Sequence, residues 1–413
     1  MNDLTTRLKV FAAAAYPRYV ADLETLVNIE SESGDAAGSA RIAEVIAARL
    51  APLDAAIETR ANTQGTHVIA RLPGRGHLRV LLLMHTDTVQ PRGSLARQPF
   101  RVDEQQRAYG PGAGDSKASA AFALYVAEAL HTVTDRAYGE IILHFDAEEE
   151  TGSADEFALV EALARQADVA LVLDTARPGW GIVTRRKGLA RYTLTVRGIA
   201  GHSGNAPQAS GSAVAELVHQ LAAALALASP LPAHPDTFTR PALADRGIAD
   251  HGQHIPEIGV NIGVIGTGNT KINVIPADAH AEVEVRAFVT ADLERIDAVL
   301  RAHAARPRVA GTSVGISGGI GYPPVEKNAA SEPIIAIYKD IVRRAFGAEV
   351  VEWSAGGVTV GNFTAAFVPT VDALAVEMEF EHDLSREYAD LTTFGPRLVA
   401  LGRLIDRLAR ERC

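Results

Sequence analysis

Two segments of this 413-residue chain end in residue types that could hold a metal ion and move a proton. Leu81-Leu82-Leu83-Met84 stops on His85 with Asp87 two residues on, and Gly139 to Phe145 leads through Asp146 into Glu148-Glu149-Glu150. Imidazole nitrogens and carboxylate oxygens suit zinc or a similar divalent ion. Of two adjacent glutamates, one can bind the ion while its neighbour reaches the bound water as a base. Two further places add carboxylates: Asp115 in the glycine-rich run Tyr109 to Lys117, and Asp174 after the apolar Val169 to Leu173. Each has a structural alternative. His85 and Asp87 can be a hydrogen-bonded pair, Asp115 a helix cap, Glu148 to Glu150 a solvated charge run, and Asp174 a turn former. Their shared position argues for chemistry. Apolar runs read as strands buried on both faces, and residues just past the carboxyl ends of such strands line the crevice of an open α/β sheet.

The elements that would position these residues alternate. Helices at Leu8 to Ile29, Arg41 to Leu50 and Ser116 to Thr132 are interleaved with strands at His67 to Leu72, Leu78 to Met84 and Gly139 to Phe145. That order predicts an α/β domain with a mixed, largely parallel sheet flanked by helices. The pattern changes after Arg186-Lys187-Gly188. Strands at Arg191 to Val196, Ile258 to Val264, Ala281 to Phe288 and Arg308 to Ile316, with helices at Ser212 to Leu227 and Leu293 to His303, give a βαββαβ order. This suits a ferredoxin-like α+β domain. Ser229 to Glu257 is a long polar connection containing His234, His251 and His254, of which His251 and His254 read as solvated loop histidines, with substrate contact as the alternative. Gly318 to Pro324 reads as a return hinge. Beyond it the first pattern resumes, with a helix at Pro333 to Phe346, a strand at Val368 to Leu374 and a last helix at Phe394 to Arg410. The expected division is a catalytic domain of residues 1–187 and 322–413, with residues 188–321 inserted.

A formal charge of −10 lacks the basic footprint of a nucleic-acid binder. The sole cysteine, Cys413, excludes an intrachain disulfide and a cysteine-based zinc site. No apolar stretch approaches the ~20 residues of a membrane span, and the amino terminus lacks the pattern of an export signal. The expectation is a cytoplasmic protein without a membrane or nucleic-acid partner, or a periplasmic one if a leader has been trimmed. The glycine-rich loop before Lys117 fits neither a Walker motif nor a dinucleotide fingerprint, and His251-Gly252-Gln253-His254 lacks the glutamate and spacing of a zincin. Gly315-Ile316-Ser317-Gly318-Gly319 has the letters of a serine-hydrolase elbow. Such an elbow needs a helix immediately after the serine, and a Gly/Pro segment follows here.

Further motifs complete a pattern. They are Leu26 to Asp35, His85-Thr86-Asp87-Thr88, Tyr109 to Lys117, Glu149-Glu150-Thr151-Gly152-Ser153, and Gly198 to Gly204 around His202. Asn273-Val274-Ile275-Pro276 with Arg286, Gly356-Gly357 with Gly361 to Ala365, and His382 follow in order. With these, the chain resembles the M20 metallopeptidases, and within them the glutamate carboxypeptidase branch, over nearly its whole length. The resemblance implies two zinc ions per subunit, with cobalt or manganese as substitutes. Asp115 would bridge them, His85 and Asp174 hold one, and Glu150 and His382 hold the other. Glu149 would be general base and then acid for a metal-bridging hydroxide, with Asp87 fixing the His85 ring. The inserted domain would be a lid and the surface of a homodimer. By the same analogy His202 steadies the oxyanion from the opposite subunit, while Asn273, Arg286 and Gly357 bind the substrate.

The implied reaction is zinc-dependent hydrolysis of an amide next to an amino acid with a free carboxylate, in an N-acyl amino acid or short peptide. Alternatives are a dipeptidase or aminopeptidase of the same family, and a non-catalytic amino-acid-binding protein on a degenerate scaffold. Departures from the pattern point to an altered substrate pocket. Asp174 stands where glutamate carboxypeptidases usually carry glutamate, Val360 where aspartate is common, and the approach Glu377 to Glu381 before His382 lacks glycines.

Overall fold

The computed structural model describes residues 3–152, 154–205, 210–229 and 255–411. His234, His251, His254, Ser153 and Cys413 lie outside the described residues. The chain divides into two compact units, residues 1–184, 327–353 and 359–413 in the first, and 185–326 with 354–358 in the second.

In the first unit, β1 (Ala56–Ala61), β2 (Thr66–Pro73), β3 (Arg79–His85), β4 (Glu140–Asp146) and β5 (Val169–Val172) join the short Thr370–Val371 in one sheet. The spatial order is β1-β2-β4-β3-β5, with Thr370–Val371 at the far edge. β4, β3, β5 and Thr370–Val371 run parallel, while β1 and β2 are antiparallel. The apolar runs have no alternation because both faces are covered. Val80, Leu82 and Met84 pack into a core with α1 (Leu4–Val27), α2 (Ala36–Leu50) and α3 (Ala118–Thr132). Leu81 and Leu83 point the other way, toward α4 (Ala154–Ala164). Each fully buried leucine contributes about 2 kcal/mol of apolar burial. Parallel neighbours necessarily end at one edge: His85 is paired with Asp146, and the Leu173 N–H donates to the Leu83 carbonyl at 2.7 Å.

Two bounds differ from expectation for local reasons. α2 begins at Ala36 and not at Arg41, because Asp35 accepts the Gly38 N–H at 3.2 Å and caps it. The strand expected over Val368 to Leu374 shrinks to Thr370–Val371, since Asp372 turns to pair with Val183.

The second unit carries β6 (Gly188–Arg197), α5 (Ala213–Leu225), β7 (Ile258–Gly266), β8 (Asp278–Ala287), α6 (Thr290–Ala304) and β9 (Ser313–Tyr322). Its sheet is antiparallel in the order β7-β8-β6-β9, the ferredoxin-like arrangement. Leu194 and Val196 of β6, Leu217 and Leu221 of α5, and Ile296 and Leu300 of α6 share one core.

The hinge expected at Gly318 to Pro324 is corrected. Gly318 and Gly319 are paired with Tyr192 and Arg191 inside β9, which runs on to Tyr322. A Cβ on Gly318 would sit 2.1 Å from the Arg191 carbonyl oxygen at φ +90°, so glycine there permits strand pairing where it looked like a break. Ser317 lies mid-strand with no helix behind it, which removes the elbow reading. The units accordingly part near 184/185 and 326/327, and Gly357 falls in the second unit.

The chain closes with α7 (Glu332–Phe346) and α8 (Phe394–Glu411), both on the larger core of the first unit. Among the described residues no helix is long and apolar enough to cross a membrane.

Lys327, Lys339 of α7 and the Thr184 hydroxyl converge on the Glu352 carboxylate. Burial opposes ionisation there, but the three donors hold the group down at about 2 against an ordinary 4.5. Its contribution to stability is therefore complete above pH 4.5 and disappears as pH falls toward 2. Partial exposure screens the cluster, so about 1 kcal/mol is expected. Glu352→Gln should lower the thermal midpoint at neutral pH, with the difference from wild type closing as the pH falls from 4.5 toward 2.

Candidate metal centre

β3 delivers His85 to the carboxyl edge of the sheet, where its Nε2 lies 3.0 Å from Asp115 Oδ1 and 3.9 Å from Asp174 Oδ1. The other Asp115 oxygen, Oδ2, lies 3.1 Å from His382 Nε2, which is 3.6 Å from Glu150 Oε2. One carboxylate thus faces a different imidazole with each oxygen, and Asp174 and Glu150 flank the two rings. Ligand atoms of His85, Asp115 and Glu150 all fall within 4.8 Å of one another.

Asp115 sits in a kinked turn, Ala113–Lys117, just before α3. Glu387, buried and unassigned by the sequence reading, holds that turn: its Oε1 accepts the N–H groups of Gly114 and Asp115 at 3.1 and 3.2 Å. Its Oε2 accepts the His382 N–H at 3.1 Å. A single side chain therefore fixes the backbone of two candidate ligands. The segment before His382 lacks glycines, yet Phe380 and His382 adopt φ of +65° and +67° and bring the ring in. Left-handed conformations in such residues cost of order 1 kcal/mol each and persist where the surroundings enforce them.

Asp87 works on the opposite side. Its Oδ1 lies 3.4 Å from His85 Nδ1 and accepts the Glu149 N–H at 3.2 Å; its Oδ2 accepts the Glu150 N–H at 3.3 Å and the Ser33 hydroxyl at 2.6 Å. Ser33 belongs to the singled-out Leu26 to Asp35 segment, but nothing in the sequence gave it this partner. Glu148 is fully buried and Glu149 and Glu150 are half-buried, so the solvated charge-run alternative is corrected.

Charge is unbalanced at this edge. Burial, then the Asp115 and Asp87 carboxylates, push Glu150 up to about 8. Burial together with Asp174 and Glu150 carries Glu149 well above the glutamate range. His382 is raised to about 9 by its hydrogen bond to Asp115, and Asp115 is held low by the two imidazoles despite its burial. The side chains here take up protons to offset one another, a task a divalent cation performs better. Among the described residues, Glu150 Oε1 is buried without a hydrogen-bond partner. The donor set, two imidazoles and three carboxylates, fits a divalent metal of the zinc type.

The remaining expected residues belong to the second unit. His202 is exposed opposite Val274, and its Nδ1 accepts N–H groups from Gly204 and Asn205 at 3.1 and 3.3 Å, which leaves Nε2 as the protonated nitrogen. Asn273 is exposed and accepts the Ser203 N–H through its carbonyl at 3.1 Å. Arg286 is already engaged, with Glu284 at 2.7 Å and the Gly356 carbonyl at 2.9 Å, and the Gly357 carbonyl accepts from Arg186 at 3.3 Å. Val360, in the first unit, is buried in the smaller core beside Phe363.

Removing the Glu387 carboxylate should loosen both candidate ligands that it anchors. Glu387→Gln is expected to weaken metal binding by about 10–100-fold in a competitive chelator titration, with the circular dichroism spectrum unchanged.

The chain is similar to several known proteins. The family model for the M20 peptidase dimerisation domain matches residues 184–312, and that for peptidase family M28 matches residues 67–188, the span holding His85, Asp115, Glu149, Glu150 and Asp174. Carboxypeptidase G2 of Pseudomonas sp. (strain RS-16) is 28% identical over 395 residues, covering 94% of this chain and 89% of that protein. A succinyl-diaminopimelate desuccinylase of Paracoccus denitrificans is 26% identical over 300 residues, 70% of this chain and 72% of its own length. An M20 family metallo-carboxypeptidase of Sulfolobus solfataricus has the same fold, with a TM-score of 0.68 at 15% identity over 94% of this chain and 98% of that one. A sheet edge that gathers candidate metal ligands, joined to a dimerisation domain of this type in a chain that aligns almost end to end with such a hydrolase, identifies the protein as a member of the M20 family of metallopeptidases.

Proposed function

We propose that the protein hydrolyses an amide bond next to an amino acid bearing a free carboxylate, with two zinc ions held by His85, Asp115, Glu150, Asp174 and His382. The reading rests on the two imidazoles at 3.0 and 3.1 Å from opposite oxygens of Asp115, with Glu149 beside the ligand Glu150. When bound, such ions lower the pKa of water toward ~7 and polarise the scissile carbonyl. Glu149 takes the proton of the attacking water on its carboxylate and hands it to the departing amine nitrogen, a task suited to a carboxyl with raised proton affinity. Asp87 keeps the His85 ring and the Glu149 and Glu150 N–H groups in register during the exchange.

In the second unit we assign His202 Nε2 as donor to the carbonyl oxygen as it gains charge, supplied across a homodimer. Such a donor is typically worth about 3–4 kcal/mol. Asn273, Arg286 and Gly357 are assigned to the substrate's carboxylate end. Support for a C-terminal or N-acyl substrate comes from the carboxypeptidase and desuccinylase relatives. A second reading, a dipeptidase or aminopeptidase, is favoured by Asp174, which is shorter than the glutamate of glutamate carboxypeptidases. A binding protein on a degenerate scaffold finds no support, because the atypical approach to His382 still delivers its ring to Asp115.

Zinc- or cobalt-loaded protein should turn over N-acyl amino acids or folate-type glutamate conjugates. Turnover confined to substrates with a free α-amine would favour the second reading. Glu149→Gln should cut turnover by about 10²–10⁴-fold while metal content stays near wild type, and retained turnover would remove Glu149 from its role.

A further inference from the structure

On the sheet face that packs α4, β2 and β4 carry a second set of imidazoles and carboxylates, none of which is among the ligands assigned above. Side chains two apart on a strand share a face, so His67 lies with Ile69, and Ile142 with His144 and Asp146, and Ile69 is paired directly with His144. His67 is 3% exposed, Asp146 1%, and His144 and Glu148 are fully enclosed. Ligand atoms of His67, His144 and Asp146 all lie within 4.8 Å of one another. Among the described residues, both ring nitrogens of His144 are buried without a hydrogen-bond partner, as are Asp146 Oδ2 and Glu148 Oε2. Leaving buried polar atoms unpaired costs of order 1–3 kcal/mol each, so a sheet that keeps them needs something to pair them with.

We infer that His67, His144 and Asp146 form a separate divalent-cation site, structural in role and of a chemistry that fits zinc. The tautomer of His67 is the one a ligand requires. Its Nδ1 accepts a long hydrogen bond from the Ala147 N–H at 3.3 Å and so carries the lone pair, while Nε2 donates to Glu148 Oε1 at 3.1 Å. A carboxylate on the far nitrogen of a ligating imidazole is the usual outer partner in zinc sites, and Asn62 steadies that same Glu148 oxygen. His67 Nδ1 and Asp146 Oδ1 are 3.4 Å apart. Two atoms each about 2.0–2.1 Å from a tetrahedral zinc are separated by about 3.3–3.4 Å. Burial pushes His144 down to about 4, which keeps it neutral and able to coordinate. Asp146 also accepts the Glu148 N–H at 2.8 Å and, through its carbonyl, the Thr86 N–H at 2.8 Å. The ion would therefore brace the root of the loop that carries Glu149 and Glu150, in a place no substrate reaches.

The test is metal content per chain, measured by mass spectrometry after dialysis against zinc-buffered solution. His144→Leu and His67→Asn should each carry one ion fewer than wild type, while Asp115→Ala loses the catalytic ions and retains this one. Equal content in wild type and both histidine variants overturns the proposal, as does a metal-free Asp115→Ala that remains folded. If the histidine variants fail to fold, anomalous scattering at the zinc edge from wild-type crystals decides. A peak bonded to His67 Nδ1 and His144 is expected, and a water or no peak there, with the catalytic positions filled, overturns it. The hydrolytic reading stands or falls separately, on Glu149→Gln.

Discussion

Buried like charges must be offset or they will not stay charged, and Asp115 is where this chain meets that constraint. The carboxylate is 5% exposed, and an imidazole faces each of its oxygens. Around it stand Asp87, Glu149, Glu150, Asp174 and Glu387, of which Glu149, Glu150 and Glu387 are driven toward protonation by burial and by neighbouring carboxylates, Asp115 among them for Glu150 and Glu387. In a medium of low dielectric such a crowd is tolerable only beside positive charge. The parallel strands gather these groups at one edge, and the N–H groups on Asp87 and Glu387 keep them aimed.

The supporting residues differ from the candidate ligands in what they touch. His85 and Asp115 face one another directly, whereas Asp87 and Glu387 act through backbone N–H groups and one ring nitrogen. Lys117 is a further buried group of this supporting kind. Its ammonium donates to the Ile29 carbonyl at 2.8 Å and is pushed down to about 7 by burial, which ties the turn bearing Asp115 to the end of α1.

What could be read from residues alone depended on periodicity. Strands at Arg79–His85 and Glu140–Asp146 were legible because burial on both faces writes an unbroken apolar run, and the candidate ligands stood out because those runs stop on polar residues. The βαββαβ order of the second unit was legible for the same reason. Glycine misled at Gly318 and Gly319, since a residue without a side chain writes no pattern whether it breaks a strand or lets two strands approach. Glu387 and Ser33 were invisible as partners because their roles are set by tertiary contacts across long stretches of chain. The grouping of His67 with His144 was not legible, because only the register of β2 against β4 brings them to one face.

The clamp on Asp115 joins groups made far apart in time. Glu387 reaches Gly114 across 273 residues, and His382 comes from the same late segment. A ribosome would already have released the segments carrying His85, Asp115 and Glu150 well before it supplied the parts that complete their surroundings. The candidate site is thereby complete only when the last stretch of polypeptide docks.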